Sequence, residues 1–111
     1  MEVTDTKLDE VAVVALKGRV DAANSTTLEQ KLLGLLAGGE KRLVLELSGL
    51  EYISSAGLRV LLVVAKKLNA AGGKFALAAA RDHIREVLDL SGFIDIFPLF
   101  ANQQEAVAGV K

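Results

Sequence analysis

Two adjacent hydroxyl side chains, Ser54 and Ser55, are the residues of this sequence best placed to do chemistry. They stand where a strand pattern gives way to a helical one, and two small residues, Ala56 and Gly57, follow them. A serine at such a junction is a good helix N-cap, because its oxygen accepts a hydrogen bond from the unpaired amides of the first turn. A phosphate there would meet the same amides and the positive end of the helix dipole. The spacing therefore predicts either a cap alone or a cap that is also a phosphorylation site.

Catalysis by a serine needs a base to take its proton, and the only imidazole in the chain belongs to His83. No Gly-x-Ser-x-Gly nucleophile elbow accompanies it, so we expect His83 to be a solvated helix residue. The carboxylates near it share a helical face with Arg85, a pattern typical of surface ion pairs; they are Asp82, Glu86 and Asp89. The sequence predicts no catalytic residue and no metal site.

The run Gly72, Gly73 and Lys74 is the one part of the sequence that suggests a phosphate loop. The complete phosphate-loop signature is absent, and the lysine begins a strand pattern where it should open a helix. We expect these glycines to end a helix. The sequence therefore predicts no cofactor, and a nucleotide-binding or hydrolytic domain is the least favoured function.

The composition limits the possible partners. The 111 residues fit one domain, 1–111, and its 5% of aromatic residues are too few for a platform that stacks bases. The 13 basic and 14 acidic residues give a formal charge of -1 and no basic patch for nucleic acid. The chain has no cysteine and no apolar run of about 20 residues, and its acidic first ten residues lack the positive start and apolar stretch of a signal peptide. We expect a cytoplasmic protein that contacts neither nucleic acid nor membrane.

Apolar residues recur with strand periodicity in some segments and with helical periodicity in others. Strands are predicted at 2–8, 11–16, 43–47, 75–80 and 94–97, and helices at 25–37, 55–71, around 84–88 and from 102. An initial hairpin followed by alternating strands and helices indicates an α/β fold. The expected architecture is a mixed, largely parallel sheet of about five strands with four helices packed against it.

Several local signals set the expected boundaries of these elements. Thr26 and Glu29 fit a capping box at the start of the first helix. Ser48 and Gly49 predict a turn after the central strand, and Gly92 is expected to cap the third helix. Pro98 is expected to end the last strand, because proline has no amide to donate.

The helix that begins at Ser55 has an unusual predicted outer face. Helical spacing places two valines on it beside basic residues; the set is Arg59, Val60, Val63, Lys66 and Lys67. Scattered exposed apolar residues are normal on any protein. The two valines are therefore either partly buried by chance or part of a patch that docks a partner.

The order of motifs along nearly the whole chain resembles the anti-sigma factor antagonists of the STAS superfamily. Residues 16–21 are similar to the strand-end Gly-x-Leu-Asp motif of that family, and residues 43–48 to its central strand. Residues 52–58 look like the segment that bears the phosphorylated serine. Residues 80–93 resemble the third helix and its Leu-x-Gly-hydrophobic ending. The resemblance implies the STAS fold and a binding protein without catalytic activity.

The resemblance also implies a partner and a switch. The partner is a serine-kinase-type anti-sigma factor, whose capture frees a sigma factor for transcription. Phosphorylation of Ser55 by that kinase ends the binding, with Ser54 as the alternative target, and a serine phosphatase resets the switch. The implied partner surface consists of Asp21, Ser54, Ala56, Gly57, Arg59, Val63 and Lys66.

This chain departs from the family pattern at Ser54, where many members carry aspartate, and at Glu46, where aspartate is also common. The superfamily includes stressosome scaffolds and modules linked to transporters or to lipid transport. A scaffold or transport-associated module without a phosphorylation switch is therefore the alternative function.

Overall fold

The computed structural model describes all 111 residues, apart from the side chain of Ile94. Ten elements follow one another along the chain. They are β1 (Glu2–Leu8), β2 (Val11–Val20), α1 (Ser25–Ala37), β3 (Arg42–Ile53), α2 (Ser55–Ala70), β4 (Lys74–Ala78), α3 (Asp82–Leu90), a 3-10 turn (Phe93–Asp95), β5 (Leu99–Phe100) and α4 (Gln103–Val110). The helices begin and end within a few residues of their predicted bounds.

The strands form one five-stranded sheet in the order β1-β2-β3-β4-β5. β1 runs antiparallel to β2, and the other neighbours are parallel. The opening hairpin turns through Asp9 and Glu10, which both have positive φ, as a two-residue hairpin loop requires. The predicted fold, a mixed and largely parallel sheet with four helices, is confirmed.

Helices cover the sheet on both faces. Successive residues of a strand point to opposite faces, so Val14 and Leu45 pack with α1, α2 and α3, while Val13 and Val44 pack with α4. Ala76 and Ala78 of β4 also lie under α4. Burial on both faces explains why the strands at the centre of the sheet are almost continuously apolar.

β3 is longer than predicted, and no turn interrupts it at Ser48 and Gly49. Its register against β2 slips twice, because extra residues bulge out of β3 on either side of Gly49 and Leu50. A Cβ on Gly49 would lie 3.1 Å from the carbonyl oxygen of Leu16, so glycine allows the two backbones to approach. The Ser-Gly pair therefore marks a bulge, which the sequence pattern does not distinguish from a turn.

The predicted last strand at 94–97 is also wrong. Its backbone instead enters the 3-10 turn, and the strand lies at Leu99–Phe100. Phe97 is buried, and its ring makes edge contacts with Phe75 and Phe93 at centroid distances of 5.1 and 5.7 Å. Of this run, Phe97 packs in the aromatic cluster, whereas Ile96 is 53% exposed. Pro98 precedes the strand, and its carbonyl accepts a bond from Leu77 at 2.9 Å.

Candidate functional site

The ends of β2 and β3 extend beyond the rest of the sheet. β4 pairs with β3 only from Arg42 to Glu46, so residues 47–53 continue alongside β2 alone. At the tip, the amide of Ser54 donates a hydrogen bond of 2.8 Å to the carbonyl of Val20. We call this tip the Ser55 edge: residues 19–21 of the β2 end, residues 52–54 of the β3 end and the first turns of α2.

Ser54 is the N-cap of α2, and Ser55 is the first helical residue. The backbone of Ser54 is extended, and its hydroxyl accepts a bond of 3.2 Å from the amide of Gly57. Ser55 is exposed, and no hydrogen bond of its hydroxyl is found among the described residues. The sequence alone leaves open which of the two serines caps α2, and the structure gives that role to Ser54.

Gly57 lies beneath the surface of the Ser55 edge. A Cβ at this position would be 2.7 Å from Cγ1 of Ile53 and 2.8 Å from Cγ1 of Val20. Glycine therefore lets α2 rest directly on the ends of β2 and β3. Ala56 is only partly buried and faces outward more than Gly57 does. The structure thus places Ala56 at the surface and gives Gly57 a packing role below it.

Asp21 follows Val20, whose carbonyl accepts the bond from the N-cap residue of α2. Its Oδ1 accepts bonds from the amides of Ala23 and Asn24 at 3.0 and 3.1 Å. Asn24 returns a bond, its Oδ1 accepting from the amide of Asp21 at 2.9 Å. These bonds hold the turn that leads into α1. The predicted capping box of Thr26 and Glu29 is wrong, since Asn24 occupies the N-cap position and uses its side chain in the turn.

The outer face of α2 differs from the predicted one at Val60, which is buried with 4% exposure. The buried residues of α2 extend around the helix far enough to include it, because α2 packs against both the sheet and α1. Arg59 and Lys66 are exposed, and Val63 is half-buried between them. The structure therefore brings the predicted docking residues of α2 onto one outward face, without Val60.

The start of α3 is attached to the bulged half of β3. Arg81 donates a bond of 2.8 Å from Nε to the carbonyl of Ser48. His83 bonds through Nε2 to the carbonyl of Glu51 at 2.7 Å, and since a carbonyl only accepts, Nε2 donates. β4 ends before this part of β3, so these two side chains supply hydrogen-bond donors that a neighbouring strand would otherwise supply. The sequence predicts only a solvated His83, because its strand pattern does not extend β3 as far as Glu51.

Another contact that the sequence did not reveal joins the side chains of Arg19 and Tyr52. They are register partners across β2 and β3, and the guanidinium carbon of Arg19 lies 4.3 Å from the centre of the Tyr52 ring. Their separation along the chain conceals the contact. A longer β3 without bulges would place Arg19 opposite Leu50, and the two bulges shift its partner to Tyr52.

The described part of the chain contains no group of three or more side chains arranged to bind a metal. None of its helices has the length and apolarity to cross a bilayer. The pKa of the Asp5 carboxyl is lowered by the hydrogen bond and charge of Lys31, whose Nζ is 2.7 Å away. That pair joins β1 to α1 and does not include a residue of the Ser55 edge.

Comparison with known proteins yields consistent similarities. A family model described as the STAS domain matches residues 2–106. A Bordetella bronchiseptica protein named anti-sigma factor antagonist BtrV is 46% identical over 108 residues, covering 97% of this chain and 92% of that protein. The anti-sigma-F factor antagonist RsfB of Mycobacterium tuberculosis is 30% identical over 101 residues, with coverage of 91% and 82%. A Thermotoga maritima crystal structure described as an anti-sigma factor antagonist has a TM-score of 0.93 at 24% identity, covering 97% of this chain and 93% of that one.

Proposed function

The chain belongs to the STAS domain family, among relatives named anti-sigma factor antagonists, and we propose that it binds a serine-kinase-type anti-sigma factor. Binding sequesters that factor and so frees a sigma factor for transcription. Phosphorylation of Ser55 by the bound kinase ends the interaction, and a serine phosphatase restores it. The protein is a regulator without catalytic activity, and we place this cycle in the bacterial cytoplasm.

The observation that carries the proposal is the division of labour between Ser54 and Ser55. Because Ser54 caps α2, the hydroxyl of Ser55 is free to be modified while the cap stays in place. The exposed position of Ser55 at the first turn also suits a phosphate, since the unpaired amides and the helix dipole favour negative charge there. Modification therefore changes the surface while leaving the fold intact.

The proposed docking surface surrounds that hydroxyl. It comprises Asp21, Ser54 and Ala56 at the tip and continues along α2 through Arg59, Val63 and Lys66. Gly57 contributes indirectly, by holding α2 against the strand ends. A phosphate would add about 1.5 to 2 negative charges in the middle of this surface. A partner packed closely there would lose affinity through desolvation of the phosphate and steric conflict.

The experiment that tests the proposal is a phosphorylation assay with each purified kinase-type anti-sigma factor of the source bacterium and ATP. Mass spectrometry should find one added phosphate, on Ser55, and Ser55→Ala should remain unmodified. Ser54→Ala is the matched control and should still be modified. Full phosphorylation of Ser55→Ala would move the site to Ser54. If no kinase modifies either serine, the scaffold or transport-associated function replaces the switch.

A further inference from the structure

Arg19 and Tyr52 lie at the Ser55 edge but belong to no predicted site. Tyr52 stands three positions before Ser55 in the chain, and 39% of it is exposed. Arg19 is exposed as well, and its guanidinium rests on the Tyr52 ring. Since Val20 and Ile53 are buried beneath α2, their neighbours Arg19 and Tyr52 point to the opposite face of the sheet.

This part of the sheet face is not covered by α4. The residues that pack with α4 are Val11, Val13, Val44 and the alanines of β4, all nearer the other end of the strands. Parallel strands normally have both faces covered. An arginine and a tyrosine on an open stretch of sheet are notable because these two residue types dominate the binding energy of protein interfaces.

The charge of Arg19 is not neutralised within the chain. The described residues place no carboxylate within ion-pair distance of its guanidinium. On the other side of the tip, α2 carries Arg59, Lys66 and Lys67 and has no acidic residue from Ser55 to Ala70. Cations therefore lie on both sides of the Ser55 edge, while the carboxylate of Asp21, also at the edge, accepts bonds from the amides of Ala23 and Asn24. The complementary partner surface is acidic opposite Arg19 and opposite the outer face of α2.

We propose that Arg19 and Tyr52 form a second contact region of the docking surface, in which the guanidinium held on the ring binds a carboxylate of an acidic segment of the anti-sigma factor. The inference rests on the proposed function and adds the chemistry of the partner. Stacking on the ring fixes the orientation of the guanidinium before binding, so that less side-chain freedom is lost in forming a two-pronged bond to a carboxylate. The same cations give the proposed switch a second cause, because a phosphate on Ser55 would offset the positive potential that attracts the partner.

The test is titration calorimetry of unphosphorylated protein with each purified kinase-type anti-sigma factor of the source bacterium. Arg19→Glu should weaken binding by at least about tenfold, and Tyr52→Ala should weaken it in the same direction. Arg19→Lys keeps the charge but lacks the planar fork, so its affinity should lie between those of wild type and Arg19→Glu. Wild-type affinity should also fall as the salt concentration rises.

Arg85→Glu is the matched control, since it makes the same charge change at an exposed position of α3. Its affinity should stay within about twofold of wild type. Thermal unfolding establishes that each variant is folded. If Tyr52→Ala proves unstable, the exposed Arg19 variants decide the question.

Different results separate the two proposals. If Arg19→Glu binds as tightly as wild type while Ser55→Asp does not bind, the second contact region is wrong and the proposed function stands. A loss of affinity equally large in Arg85→Glu would also overturn it, since general charge would then explain the effect. If wild type binds none of these anti-sigma factors, both proposals fail.

Discussion

The hydroxyl of Ser54 accepts a hydrogen bond from the amide of Gly57 at 3.2 Å, and this bond closes the first turn of α2. Ser55, the first residue of that turn, keeps its own hydroxyl exposed. A cap oxygen that became phosphorylated would have to exchange its bond to the amide for new ones. Placing the cap and the modifiable hydroxyl on adjacent residues avoids that conflict.

The first prediction compares the stability of two alanine variants. Ser54→Ala should lower the free energy of unfolding by about 1 kcal/mol, because it removes the cap. Ser55→Ala should change it by less than about 0.5 kcal/mol, because an exposed side chain without a cap role is removed. Urea denaturation measures both. The reverse order would mean that Ser55 caps the helix in solution.

The second prediction concerns Gly57, where a methyl group would press on Ile53 and Val20 at 2.7 and 2.8 Å. Gly57→Ala should destabilise the protein by about 1 to 3 kcal/mol, the usual range for overpacking. It should also weaken partner binding, since α2 must shift away from the strand ends. Urea denaturation and titration calorimetry test the two effects.

Gly34 in α1 supplies the matched control for that substitution, because a Cβ there would have nothing within 4 Å. Gly34→Ala should stabilise the protein by about 0.5 to 1 kcal/mol through its higher helix propensity. Equal effects of the two alanines would contradict the close packing of Gly57.

The sequence is sufficient to predict the order of elements, because most of the elements depend on local periodicity and on glycine signals. Features that depend on pairing between distant segments were missed. The bulges around Gly49 arise from the register of β3 against β2, and the full length of β3 was missed together with them. The contacts of Tyr52 with Arg19 and of His83 with Glu51 depend on that bulged extension of β3.

Two features of the candidate site could not be predicted from local sequence. Ser54 and Ser55 are equivalent as caps by sequence, and only the position where β3 stops, fixed by the bond of Ser54 to Val20, decides between them. The apolar stripe of α2 predicts packing against one neighbouring element and so places Val60 on the outer face. In the structure α2 contacts both the sheet and α1. The burial of Val60 is a tertiary property.

A third prediction separates the two roles of Asp21. Asp21→Asn retains an oxygen that can accept from Ala23 and Asn24, so stability should change little. Asp21→Ala removes both bonds and should cost about 1 to 2 kcal/mol. If the carboxylate also contacts the partner, Asp21→Asn should weaken binding by more than it lowers stability. Unchanged affinity in the folded asparagine variant would leave Asp21 as a turn residue only.

The fourth prediction tests the outer face of α2. Val63→Glu would place a charge in the proposed contact. Because Val63 is only half-buried, the protein should still fold with this substitution. Affinity for the anti-sigma factor should fall at least about tenfold, since the added carboxylate must be desolvated in the contact, even with Arg59 and Lys66 beside it. Ala70→Glu, which adds the same charge at the exposed end of α2, is the control. If the two variants bind alike, the docking surface does not include Val63.

The last prediction concerns the direction of the switch at Ser55. Ser55→Ala should bind the anti-sigma factor as wild type does and should stay bound when ATP is added, whereas wild type should dissociate. Ser55→Asp should fold equally well, because a carboxylate suits the first turn of a helix. It should nevertheless bind at least about tenfold more weakly, since it puts charge into a close-packed contact. A carboxylate carries less charge and fewer oxygens than a phosphate, so the loss should be smaller than that caused by phosphorylation itself.

Size-exclusion chromatography of each mixture, with ATP and with a non-hydrolysable analogue, distinguishes release by phosphoryl transfer from release by nucleotide binding alone. If wild type dissociates equally with the analogue, the nucleotide controls the complex and Ser55 is not its switch.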